Sequence, residues 1–218
     1  MSSSAAASQS PEPDLIVRRE GAAGVIRLNR PKAINAVTLE MFRDTDKALD
    51  RFEADPAVGL ILLEGAGGRG LCAGGDIRAL YDSSRAGGDL GKILWREEYI
   101  LNARIAKFPK PYVAFMDGIV MGGGVGLAAH GSHRVVTDRT KLAMPEVGLG
   151  FFPDVGGTWL LSRSPGERDN SHVPPTSGKK PRPTSGIASF VLSVTTRWLP
   201  CAASPTPPPI TMPSMKAT

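Results

Sequence analysis

The chain has little cysteine, little histidine and no long apolar run. Its 218 residues include two cysteines, Cys72 and Cys201, far apart and without metal-ligand spacing. That excludes a disulfide framework and a thiolate metal cluster, and Cys72 reads as a small buried hydrophobe. His130 and His133, in "HGSHR", lack a third ligand nearby. They read as turn and strand-edge residues, and no metal site is expected. No stretch reaches the ~18 apolar residues of a membrane helix. The first residues, "MSSSAAASQSPEPD", contain neither a basic residue nor an apolar core. They match neither a secretory signal nor an arginine-rich transit peptide, so a cytoplasmic location is expected. The phosphate-binding G-x-x-x-x-G-K-[ST], a G-x-G-x-x-G after a strand and the G-x-S-x-G nucleophile elbow are all absent.

Charge excludes another class. The net charge is +5, yet residues 1–167 hold 20 basic and 20 acidic side chains. The excess sits in residues 168–218, with six Lys or Arg and one acid. It is scattered and not interleaved with aromatics, so no nucleic-acid partner is expected.

What is present is an alternation of strand and helix signals. Residues 1–13 read as a flexible Ser/Ala/Pro leader. "DLIVRRE" and "AGVIRLNR" predict two strands joined by a turn at Gly21. Thr38 is a candidate N-cap for a helix carrying Phe42, Leu49 and Phe52 at helical spacing. Asp55-Pro56 stops it. "VGLILLEGA" reads as a strand buried on both faces, followed by a glycine-rich loop, "GGRGLCAGGDI". Residues 91–107 predict a second helix. "PYVAFMDG" is a buried strand leading into the helix of "GGGVGLAAHG". "HRVVTD" and "KLAMPE" read as short strands, and Gly156-Gly157 open a last helix, "GTWLLSR". The class is α/β, layered. Two glycine-rich loops after strands hint at a shared anion site, because exposed N–H groups bind negative charge. Residues 168–218 hold ten of the 19 prolines and show no period. They are expected to be disordered.

Three acids stand out. Glu146 and Asp154 lie in the apolar run "MPEVGLGFFPDVGG", where ionised carboxylates are costly. Val147, Leu149, Phe151 and Phe152 are expected to raise the basicity of Glu146 by desolvation. Asp154 could instead cap the following helix, and Glu146 could pair with an arginine. Glu98 shares an apolar stripe with Leu94, Leu101 and Ile105, so it is either paired, functional or at the stripe's edge.

Taken together, "RPKAINAV", "LCAGGDI", "DGIVMGGGVGL" and "MPEVGLGFFPDVGG" resemble the crotonase superfamily of acyl-coenzyme A enzymes, over about residues 14–167. Within it they are most similar to the 3-hydroxyisobutyryl-CoA hydrolases of valine catabolism. The resemblance implies a layered β-β-α spiral core and hydrolysis of a β-hydroxyacyl-CoA thioester, with no cofactor beyond the coenzyme A of the substrate. It implies an oxyanion hole from the N–H groups of Gly75 and Gly123. It makes Glu146 and Asp154 catalytic and, with Glu98 and Gly123, substrate-binding, with Glu97 the weaker choice. It places Lys32, Ala33, Leu71 and Ala73 against the coenzyme A. Hydratases of the superfamily carry a further glutamate at the position of Gly126, so a hydratase or isomerase is the alternative reading. Nothing after Glu167 resembles the long helical region with which the family closes its pocket and joins its subunits. A reading-frame shift would account for that. A homo-oligomer is then less secure, and an inactive CoA-binding remnant is a third reading.

Overall fold

In this computed structural model the structure describes residues 12–161. The leader through residue 11 and the tail expected to be disordered, 168–218, lie outside them.

Strands β1 (Leu15–Glu20) and β2 (Ala23–Leu28) form an antiparallel hairpin with Leu15 opposite Leu28. Gly21 turns it at φ +59°, a region glycine enters without steric cost. Helix α1 (Leu39–Ala54) opens on Thr38, whose side chain accepts from the Met41 N–H, and ends at Asp55 in extended backbone before Pro56. Met41, Phe42, Leu49 and Phe52 are its buried face.

Strand β3 (Leu60–Gly65) lies parallel to β2. Ile61 and Leu63 are buried, whereas Leu60 and Leu62 are half-covered. The expectation of burial on both faces is corrected: successive side chains face opposite ways, and only one face is closed over. The expected glycine loop contains a strand, β4 (Gly70–Cys72). It was hidden by glycine, which here admits another backbone: a Cβ on Gly70 would lie 2.5 Å from Ile119. Helix α2 (Ile77–Arg85) was not anticipated either, and opens on the Asp76 side chain accepting from the Ala79 N–H. The chain continues through α3 (Leu90–Ala106), β5 (Tyr112–Met116), β6 (Ile119–Met121), α4 (Gly123–Ala129), β7 (His133–Val136) and β8 (Lys141–Ala143). A 3-10 turn (Pro145–Leu149) and α5 (Gly157–Leu161) follow.

The strands form two sheets, ordered β1-β2-β3-β5-β7 and β4-β6-β8. From β3 onward the chain repeats a circuit: a strand in the first sheet, a short strand in the second, then helix. This is the β-β-α spiral. Beyond the hairpin every pairing between the strands of the described residues is parallel, which the long crossovers require. Ile26, Leu28, Leu49, Ile61, Leu63, Leu71, Met116 and Leu127 pack in one core. One consequence sets the site. Because β4, β6 and β8 are parallel neighbours, their C-terminal ends lie side by side. Those ends lead into Gly74-Gly75, Gly122-Gly123 and Pro145-Glu146.

Candidate active site

The two glycine loops meet. A Cβ on Gly74 would lie 3.7 Å from the Gly123 amide nitrogen, and one on Gly123 would lie 3.5 Å from the Gly75 amide nitrogen. The first loop is fixed from below: Val37 N–H donates to Gly74 O, and Asp76 N–H donates to Val37 O. Arg30 clamps the same region, donating to Ala36 O and to the Asp76 carboxylate at 2.9 Å. Buried Asn35 ties Ala66 and Gly70 together. Gly123 is the first residue of α4, so its N–H lacks an intrahelical acceptor.

Two carboxylates close on these glycines from two elements, and a third, Asp154 in the loop before α5, stands near both of them. Glu98 of α3 is 3 % exposed, and its Oε1 is 2.7 Å from the place of a Gly123 Cβ. Glu146 of the 3-10 turn puts Oε1 2.7 Å from the place of a Gly122 Cβ. Asp154 is 7 % exposed. Among the described residues none of the three forms an ion pair. Glu146 Oε2 and Asp154 Oδ1 are buried without a hydrogen-bond partner. The electrostatics follow. Burial, then Asp154, then Glu146 push Glu98 up to about 8. Burial raises Glu146, helped by Asp154, and burial raises Asp154. Like charges without a compensating cation hold protons tightly.

Among the described residues no arginine pairs with Glu146 and no N–H donates to Asp154 Oδ1, and Glu98 is inside rather than at a stripe's edge. One expectation about their surroundings is corrected. Phe151 and Phe152 are 44 % and 57 % exposed, so they do not supply the desolvation. Phe151 stacks on Trp95, and Phe152 packs against Phe151 at a tilt. Glu98 and Glu146 pack instead against the backbone of Gly123 and Gly122. The side chains of Val147 and Leu149 are outside the description.

The four residues expected at coenzyme A are brought together only in part. Lys32 and Ala33 are exposed in a 3-10 turn, and Ala73 N–H donates to Ile34 O, which ties that turn to the end of β4. Leu71 is 1 % exposed, so its side chain faces the core and only its backbone could meet a ligand. Glu97 is paired with Arg43 at 2.7 Å and points away from the cluster. Cys72 is fully buried, its thiol pushed up to about 12 by desolvation, as befits a packing residue. His130 Nε2 bonds Val155 O at 2.7 Å, and Tyr99 receives the Val155 N–H. Neither contact was read from the sequence, because the partners are 25 and 56 residues apart.

The model of the enoyl-CoA hydratase/isomerase family matches residues 23–170. The chain belongs to that family. The chain is similar to 3-hydroxyisobutyryl-CoA hydrolase, mitochondrial, of Rattus norvegicus, 54 % identical over 71 % of this chain and 40 % of that protein. It is 47 % identical to the Homo sapiens protein of the same name over the same shares. The chain thus spans about 40 % of the length of these curated relatives. Among solved structures, a carnitinyl-CoA dehydratase from Mycobacterium thermoresistibile is 58 % identical with a TM-score of 0.69, covering 72 % of this chain and 46 % of that one. An enoyl-CoA hydratase from Rhodobacter sphaeroides 2.4.1 is 47 % identical with a TM-score of 0.68, over 71 % and 46 %. The crotonase-type fold is therefore that of the family. The expected cytoplasmic location is corrected, because these curated relatives are named mitochondrial. The composition of residues 1–13 was not a sufficient guide to compartment.

Proposed function

We propose that this family member carries the thioester-hydrolysing site of a β-hydroxyacyl-CoA hydrolase, with 3-hydroxyisobutyryl-CoA as substrate. The observation that carries the reading is the clustering of Glu98, Glu146 and Asp154 beside two adjoining glycine turns, with no cation paired to them among the described residues. The names of the curated relatives support the choice of substrate. A mitochondrial location goes with it.

In this reading the thioester oxygen lies between the N–H groups of Gly75 and Gly123. Developing negative charge on that oxygen is stabilised by donors already in place, worth about 3 kcal/mol each. Glu146, desolvated and packed on Gly122, acts on the carbonyl carbon. It either attacks directly, forming an anhydride that water then opens, or takes a proton from the attacking water. Both routes break the C–S bond, consume one water and release the thiol of coenzyme A and a carboxylate. Glu98, held up to about 8, keeps its proton at neutral pH and serves as a hydrogen-bond donor to the substrate. Asp154 orients the substrate hydroxyl or the water.

Hydration of an enoyl-CoA is disfavoured by one site. A Cβ on Gly126 would lie 2.7 Å from Asn102 Nδ2 and 3.0 Å from Val155 Cβ. The place of the second hydratase glutamate is thus filled by neighbours. A remnant that binds coenzyme A without turnover is favoured by one feature, the exposed aromatic cluster of Trp95, Phe151 and Phe152. A thiol-release assay over a small acyl-CoA panel separates the three. The proposal requires release from 3-hydroxyisobutyryl-CoA. Water addition to crotonyl-CoA without thiol release would replace it with a hydratase, and binding alone with a remnant.

A further inference from the structure

Asp154 is followed by a residue under strain. Val155 has φ +47°, a region in which a β-branched side chain is an outlier. Its side chain is buried at 1 % exposure. Such a conformation persists only where the surroundings enforce it, and it concentrates at functional sites. Here two side chains from different helices hold both backbone polar groups of that residue. Tyr99 of α3 accepts the Val155 N–H at 3.1 Å, and His130, at the end of α4, meets Val155 O at 2.7 Å through Nε2. A carbonyl only accepts, so Nε2 carries the proton. Burial lowers the His130 value, which favours the neutral Nε2–H tautomer. The His130 ring also closes over the next residue, 2.9 Å from the place of a Gly156 Cβ. No backbone group among the described residues bonds Val155 N–H or O.

We propose that Tyr99 and His130 are positioning residues: they lock Val155 in the left-handed region and so keep the Asp154 carboxylate turned inward beside Glu98 and Glu146. The inference rests on the reading of Asp154 as part of the site. Released from the clamp, Val155 relaxes to an ordinary conformation and the preceding carboxylate swings toward solvent. Glu98, Glu146 and Tyr99 are the titratable groups that face it.

The test uses the full chain with Tyr99→Phe, His130→Phe and the donor-retaining His130→Gln. Tyr99 is 43 % exposed, so loss of its hydroxyl leaves the fold intact. The first readout is the titration of the Asp154 carboxyl by carbon-13 NMR, which needs no turnover. The Phe variants should return it toward the ordinary 3.8, while His130→Gln keeps it raised. An Asp154 titration unchanged in both Phe variants overturns the clamp. The second readout is thiol release from 3-hydroxyisobutyryl-CoA. Misplacement of one group should lower kcat about tenfold or more with little change in KM. In an Asp154→Asn background the same changes should cost nothing further. Losses that multiply in that background overturn the proposal, since they would act elsewhere than through Asp154. If the unmodified chain releases no thiol, the hydrolase reading falls, while the NMR titration still decides the clamp.

Discussion

Replacing Glu98 by glutamine should stabilise the fold at neutral and alkaline pH. Glu98 titrates at about 8 in the folded chain against an ordinary 4.5. Its folded value is raised, so between those two points the folded state keeps a proton that the unfolded chain has released. Stability therefore falls as pH rises: the contribution is whole below pH 4.5 and is lost as pH passes 8. Each pH step in that window costs about 1.4 kcal/mol, which makes about 3 kcal/mol by pH 7. Glutamine keeps the shape and has no proton to give up. The variant should match the parent near pH 4.5 and melt about 10 °C higher at pH 7. Thermal or urea melts followed by circular dichroism from pH 4.5 to 9 read this directly. Glu146 and Asp154 are shifted in the same direction, so the variant retains a shallower slope of the same sign. Parallel curves for parent and variant would refute the reasoning, because Glu98 would then ionise in the folded chain as easily as in water.

Glu146→Gln should abolish thiol release while leaving coenzyme A binding largely intact, seen as a loss in kcat; normal turnover would remove Glu146 from the chemistry. Asp154→Asn should lower thiol release yet raise the melting temperature at pH 7, since it deletes a buried carboxylate with an unpartnered oxygen. Gly123→Val puts bulk 2.7 Å from Glu98 Oε1, and kcat should fall about a hundredfold as the amide donor shifts. Gly126→Glu should cost about 1–3 kcal/mol by overpacking against Asn102 and Val155, measured by urea melts, and should not confer water addition to crotonyl-CoA.

The sequence by itself determined whatever depends on neighbours a few residues apart. Gly21 turned the hairpin, Thr38 and Pro56 bounded α1, and the stripe of Leu94, Leu101 and Ile105 put Glu98 inside. These are capping, turn and periodicity effects, complete within one or two turns of chain. The four ordered motifs also carried the family. Tertiary structure decided the rest. Strand β4 was unreadable because its glycine serves a backbone 49 residues on, Ile119 against Gly70. The parallel register of β4, β6 and β8 brought the glycine turns and Glu146 to one end of a sheet. Only there do Asp154 and Glu146, from distant segments, raise the proton affinity of Glu98. Only there do Tyr99 and His130 reach Val155. A carboxylate's protonation depends on what surrounds it in space, through burial and nearby charge. That environment exists only once the spiral has closed.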